Sequence, residues 1–298
     1  MIRIREAELW DCAKIVDVYI SNEDVRSSSS LEAYLRVGPW ARVETCAIHL
    51  NNLKLHGGLA LVAELDGRVV GEAELLFSEE PWKGRIMRTA HLSVIEVAKK
   101  YQGRGIGRAL VEHLIEKAQE LGYEIMTVTP EKGAIGFYKR LGFEEELYRG
   151  VLVDIPTRPG RAPTVETMEP SWTGLKELPM VLGQFQSSYN HWFSEFVDRI
   201  ADIDLMVYFE SGKVGNSFYV FEGSYTDENA VTAYAWGGNT LEVLEGLLAL
   251  AWERGFRTVR TTVEKVFMMN ILNLGAEILG EVNILVRPLG EPLWIRGG

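Results

Sequence analysis

The chain has 298 residues, 47% hydrophobic and 24% charged, a globular composition whose length predicts two domains. Its net charge of −11 argues against nucleic acid or an anionic membrane as partner, since both are gripped by clustered positive charge. Cys12 and Cys46 form neither a disulfide framework nor a C-x-x-C metal or redox pair, and the alternating start Met1-Ile-Arg-Ile-Arg-Glu6 is no signal-peptide pattern. A cytoplasmic protein without a metal is expected.

In chain order, Ile2 and Ile4 alternate as a short strand, and Leu9, Ile15, Val16, Tyr19 and Ile20 recur at helical spacing. The serine run Arg26-Ser-Ser-Ser-Ser-Leu31 reads as a flexible connection. Two strands follow at Leu59–Ala63 and Val69–Phe77, joined by Asp66-Gly67, a pair suited to the positive φ of a two-residue hairpin. The stretch Ser78-Glu-Glu-Pro-Trp-Lys-Gly84 reads as a solvated loop with one packing tryptophan, Trp82, or as one that offers Glu79, Glu80 and Trp82 to a cationic amine. A strand at His91–Val97 precedes a helix carrying Leu110, Val111, Leu114, Ile115 and Ala118, which Leu121-Gly122 closes. A strand (Ile125–Thr129), a short helix (Ala134–Leu141) and a last strand (Leu147–Ile155) complete the half.

Five of the ten prolines lie from Pro156 to Pro179, where missing backbone donors predict a connection. Beyond it the pattern returns. Ala118-Gln-Glu-Leu-Gly122-Tyr answers to Ala251-Trp-Glu-Arg-Gly255-Phe and Leu141-Gly142 to Leu274-Gly275, both 133 residues later. A tandem duplication of one α+β unit follows. The expected domains are 1–156 and 164–298, with 157–179 as the Pro-rich connection running into the second. Each half ends in a long strand pattern, which suggests strands shared between copies. The aromatics Tyr189, Trp192, Phe193 and Phe196 have helical spacing and read as core.

The chemistry-bearing stretch is His91-Leu-Ser-Val-Ile-Glu-Val-Ala-Lys-Lys-Tyr-Gln-Gly-Arg-Gly-Ile-Gly-Arg108: a strand, a turn with Gly103, Gly105 and Gly107, then a helix. Glycines expose backbone N–H groups and the helix start adds its positive dipole end, so the turn is a diphosphate cradle. The spacing is neither the G-x-G-x-x-G dinucleotide fingerprint nor a P-loop.

Gln102-Gly-Arg-Gly-Ile-Gly107 resembles the Q/R-x-x-G-x-G/A signature of the GNAT superfamily of acyl-CoA-dependent N-acetyltransferases, and Ala134-Ile-Gly-Phe137-Tyr138-Lys-Arg-Leu-Gly142-Phe143 is similar to its later A-x-x-F-Y-x-x-x-G-F element. The resemblance spans roughly residues 1–155. It departs at Glu131, where many members carry Asn for a pantetheine contact. It implies acetyl-CoA as co-substrate, held by Gln102, Gly103, Arg104, Gly105, Ile106, Gly107 and Arg108 at the pyrophosphate, by Ile95 and Val97 along the strand edge, and by Ala134 and Phe137.

It also implies Tyr138 as the acid that protonates the leaving thiolate. The base is open. His91 stands where the similar arylalkylamine N-acetyltransferases carry a proton-removing histidine; Glu96 is its rival, on the opposite strand face unless a bulge intervenes, and a water chain is the third option. Ser93 shares the face of His91.

In the second half Gln102 to Gly107 falls on Ala235-Trp-Gly-Gly-Asn-Thr240 and Tyr138 on Ile271, leaving no basic residue or acid, so that copy is expected not to catalyse. The reading is an N-acetyltransferase acting by direct attack of a small-molecule or peptide amine, with oligomeric state open. The alternative is a non-catalytic CoA- or ligand-binding regulatory protein with the same fold.

Overall fold

The computed structural model describes residues 2–23, 28–199 and 208–290. The first half contains β1 (Ile2–Glu6), α1 (Cys12–Ile20), α2 (Ser30–Val37), α3 (Val43–Leu55), β2 (Leu59–Leu65), β3 (Arg68–Trp82), β4 (Arg85–Val97), α4 (Ile106–Glu120), β5 (Ile125–Val128), α5 (Ile135–Arg140) and β6 (Glu145–Pro156). Of the serine run, Arg26 and Ser27 lie outside the described residues, while Ser29 caps α2 by accepting from the Glu32 N–H.

The second half contains β7 (Val165–Thr167), α6 (Trp172–Leu175), β8 (Met180–Leu182), α7 (Ser188–Phe193) with a π-helical turn at Ser194–Asp198, β9 (Phe209–Val214), β10 (Ser217–Gly223), β11 (Ala230–Trp236), α8 (Thr240–Glu253), β12 (Thr258–Glu264), α9 (Met268–Asn273) and β13 (Glu277–Pro288). The order β9-β10-β11-α8-β12-α9-β13 repeats β2-β3-β4-α4-β5-α5-β6. Gly122, Gly142, Gly255 and Gly275, which carry the sequence repeat, all adopt left-handed φ between 78° and 94°. Among the described residues no helix is long and apolar enough to cross a membrane.

All strands join one mixed sheet in the order β1-β2-β3-β4-β5-β13-β6-β12-β11-β10-β9-β7, with β8 beside β11. Among the described residues only β4/β5 and β11/β12 are parallel. The final strands are exchanged. β6 pairs with β12, from Thr258↔Pro156 to Glu264↔Gly150, and β13 pairs with β5 from Leu285↔Val128 to Pro288↔Ile125. The cores follow: Val151, Val153 and Ile155 pack into the second half's core with Leu244 and Val259, and Leu285 and Leu289 into the first half's with Leu110 and Leu114. The connection at 157–164 separates the halves along the chain, but their apolar interiors are interlocked.

Both faces of the first half's sheet are covered. α4 lies on one, while α1, α3 and α7 lie on the other around Ile15, Leu50, Leu53, Leu76, Tyr189 and Phe193. Asp66 (φ 52°) and Gly67 (φ 76°) make the expected hairpin turn.

The stretch Ser78–Gly84 corrects the expected loop. β3 and β4 stay paired to Trp82↔Arg85, and the turn sits at Lys83-Gly84. Glu80 is buried and accepts the Ser188 and Tyr189 N–H groups at 2.8 and 3.1 Å, so it caps α7 across the two halves instead of meeting solvent.

Candidate active site

β4 is held by β3 along its whole length, to Val97↔Gly71, but its ladder to β5 ends at Leu92↔Val128. Residues 93–97 therefore present an edge beyond the β5 ladder. At the point of divergence Ser93 is bulged: Glu74 faces Val94 and Leu75 faces Leu92. The extra residue resets the side-chain alternation. His91 (opposite Leu76) and Glu96 (opposite Glu72) thus share one face, which corrects the simple alternation placing them on opposite faces. Ile95 and Val97 lie on the α4 side, partly buried against its core.

The turn after β4 is shaped for an anion. Gly103 (φ 73°) and Gly105 (φ 81°) are left-handed, and a Cβ at either would project into open space. Gly105 is the N-cap of α4, and no side chain caps that helix. Its first-turn N–H groups are therefore left to a ligand or to solvent. Gln102 Nε2 donates to the Val97 carbonyl and to Asn22 Oδ1, at 3.0 and 3.1 Å, tying the turn to the end of β4. Gly107 lets the helix approach β4, since its Cβ would lie 3.7 Å from Val97 and 3.9 Å from Ile95. Arg104 and Lys100 flank Tyr101, and Arg108 pairs with Glu112 while remaining exposed. Ile106 is buried and anchors the helix start. These residues fit a nucleotide diphosphate such as that of CoA.

Tyr138 stands on α5 with its ring edge-on to Phe137 and Phe143, and burial pushes its phenol up to about 12. The phenol therefore stays protonated across the physiological range. Ala134 and Phe137 lie partly buried beside it against the same core.

The two candidate bases sit differently. His91 is 2% exposed and bonded through Nδ1 to Thr127 Oγ1 at 2.8 Å; burial lowers its pKa to about 3. An imidazole held so firmly neutral is a weak proton acceptor. Glu96, raised by burial, accepts from Asn22 at the far end of β4.

A cavity of about 370 Å³ opens at the bulge between the halves. Its wall includes Ser93 and Glu74 of the first half, and Asn190, Glu195 and Asp198 from α7 and the turn after it. Asn190 Nδ2 donates to Ser93 Oγ at 3.1 Å. His91 and Glu96 do not line it. Glu74, His49 and Asp198 were not singled out by sequence, because they meet only through the fold. A larger cleft of about 850 Å³ lies at the β2–β3 hairpin and Lys99–Tyr101, away from the bulge, so size alone does not mark the site.

The same elements in the second half are filled by the chain itself. β11 diverges from β12 after Thr232↔Arg260, and β8 enters, pairing Leu182 with Ala235 and Met180 with Trp236 while Gly183 N–H donates to the Thr262 carbonyl at 2.8 Å. The glycine turn is blocked: a Cβ on Gly238 would lie 2.2 Å from Ser217 Oγ. Asn239 caps α8 by accepting from the Leu241 and Glu242 N–H groups. Ile271, at the position of Tyr138, is fully buried.

Residues 22–143 match the model of the acetyltransferase (GNAT) family. This part of the chain is a GNAT acetyltransferase domain. It is 39% identical over 97 residues to an N-acetyltransferase of Methanocaldococcus jannaschii, covering 30% of this chain and 42% of that protein. It is 33% identical over 78 residues to glucosamine 6-phosphate N-acetyltransferase of Trypanosoma brucei brucei, covering 26% and 52%. The matched segments thus span about half the length of these relatives. GCN5-related N-acetyltransferases from Kribbella flavida (TM-score 0.64, 15% identity) and Anabaena variabilis (TM-score 0.61, 15% identity) each align with 97% of this chain, covering 72% and 73% of theirs. That likeness is one of fold, and it extends the GNAT architecture beyond the matched segment.

Proposed function

We propose that the protein transfers an acetyl group from acetyl-CoA to a primary amine by direct attack, and that only the first half catalyses. One contrast carries this reading: the first half leaves both its glycine turn and its β4 edge open, whereas the second half closes both with Asn239, Ser217 and β8.

The N–H groups at the start of α4, with Gly103 and Gly105, bind the pyrophosphate, and Arg104, Arg108 and Lys100 offset its charge. The backbone of residues 93–97 pairs with the pantetheine arm. The thioester supplies an activated acyl carbon and a thiol leaving group. Tyr138 delivers the proton that the departing sulfur takes up. Glu74, which faces Val94 across the bulge and lines the cavity, is positioned to remove the proton of the incoming ammonium. The second half supplies α7 and the far wall of the cavity, so its retained role is to shape the acceptor site.

The test is thiol release from acetyl-CoA with a panel of amines. Wild type is expected to turn over at least one of them, and Tyr138→Phe to lower kcat by about 10²-fold or more while CoA affinity holds. Binding of CoA without turnover of any amine, and no effect of Tyr138→Phe, would establish a non-catalytic CoA-binding protein instead.

A further inference from the structure

We propose that the cavity at the bulge takes an amine bearing a second positive charge, and that the Glu195 carboxylate anchors that second charge. This rests on the acyl-transfer reading of the same site.

Among the described residues around the cavity, one carboxylate is left weakly paired. Glu74 and Asp198 both bind His49, at 2.9 and 2.6 Å. Glu222 accepts from Arg199 Nη1 at 2.8 Å. Glu195 is only 8% exposed and lines the cavity, yet among the described residues its Oε2 has no hydrogen-bond partner. Arg199 Nη1 is 3.5 Å away and already committed to Glu222. A buried acceptor without a hydrogen bond is unfavourable, and a bound donor relieves it.

The sign of that donor follows from charge. With His49 protonated, the His49 and Arg199 cations face the Glu74, Asp198 and Glu222 carboxylates, so the wall is already short of one positive charge. Burial, reinforced by Glu222, pushes Glu195 up to about 8. An ammonium beside it reverses that shift, so the carboxylate ionises as the ligand arrives. A neutral donor can satisfy Oε2 but leaves the missing positive charge unsupplied, and an anion adds to the excess of negative charge.

The rest of the lining suits an aliphatic ligand. Asn190, which holds Ser93 at the bulge, marks the reacting end. Glu195 follows Asn190 by five residues, past the end of α7 and into the π-helical turn, and lines the same cavity. Leu53, Leu76, Val94 and Phe193 add apolar wall to the cavity, which suits methylene groups. The ligand class is therefore an aliphatic diamine or a longer polyamine.

The experiment compares putrescine and cadaverine with butylamine and pentylamine at saturating acetyl-CoA. In wild type, kcat/KM should favour each diamine by about tenfold or more, and Glu195→Gln should abolish most of that preference. Thermal melting and CoA affinity report that the variant is folded. Equal kcat/KM for mono- and diamines in wild type, or a preference that survives in Glu195→Gln, overturns the proposal. If CoA binds but no amine is acetylated, the acyl-transfer reading fails. Calorimetry with putrescine and CoA then decides the anchor separately: binding weakened about tenfold by Glu195→Gln supports it, and no putrescine binding to wild type overturns it.

Discussion

His49 ties the two halves together, with Nδ1 2.6 Å from Asp198 Oδ2 and Nε2 2.9 Å from Glu74 Oε2. Burial opposes a charge on this ring, but the two carboxylates outweigh it and hold the imidazolium well above its usual pKa. The unfolded chain releases that proton near pH ~6.5. The stabilisation is therefore complete below about pH 6.5 and is lost as pH rises through the folded value. Urea unfolding of wild type and His49→Gln is expected to differ most near pH 6, with the gap narrowing at alkaline pH. Replacing His49 leaves two facing carboxylates without their cation, so the loss at pH 6 should reach about 3–5 kcal/mol. A gap that widens with pH would contradict the assignment.

His91 should behave in the opposite way. With its pKa at about 3 it stays neutral wherever the fold persists, and neighbouring His191, lowered to about 3 by burial and by His91, does the same. In ring-proton NMR neither should titrate between pH 5 and 8 (the range of an ordinary histidine). His91→Asn should leave the acid limb of the kcat/KM profile where it is. Loss of that limb would restore His91 as the base.

Gly105 separates binding from folding. At φ 81° a side chain costs roughly 1–2 kcal/mol, and the space ahead of its Cβ is open. Gly105→Ala should lower stability by that amount and weaken CoA modestly. Gly105→Glu adds a negative charge at the uncapped start of α4 and should remove most CoA affinity while the melting transition stays sharp. Calorimetry with CoA and a melting curve read the two effects apart.

The sequence made local features legible and left long-range ones hidden. Asp66-Gly67, the glycine turn and the left-handed glycines of the repeat were readable because φ is set by the residue itself. The bulge at Ser93 was not, since it is fixed by register against β3 and has no residue signature. Glu80 looked like a loop carboxylate because its partners, the Ser188 and Tyr189 amides, lie more than a hundred residues away. The His49–Asp198 contact spans 149 positions. The acceptor cavity depends on such contacts, so its acidic wall was invisible where the cofactor turn was plain.

The exchange of β6 and β13 makes the two halves one folding unit. A chain ending at Ala276 would lose β13, leaving β5 without its outer neighbour and removing Leu285, Leu289 and the buried Val286 from the first half's interior. Each such apolar loss costs on the order of 2–5 kcal/mol, and together they approach the whole stability of a typical domain, about 5–15 kcal/mol. The truncated chain should therefore be insoluble or lack a cooperative melt, even though residues 22–143 and every proposed CoA contact are intact. Co-expression of the missing strand as a separate peptide should recover some soluble protein, because β13 lies between β5 and β6 and both of its edges are used. A chain ending at Ala276 that is soluble, melts sharply and binds CoA would show that the first half needs nothing from the second.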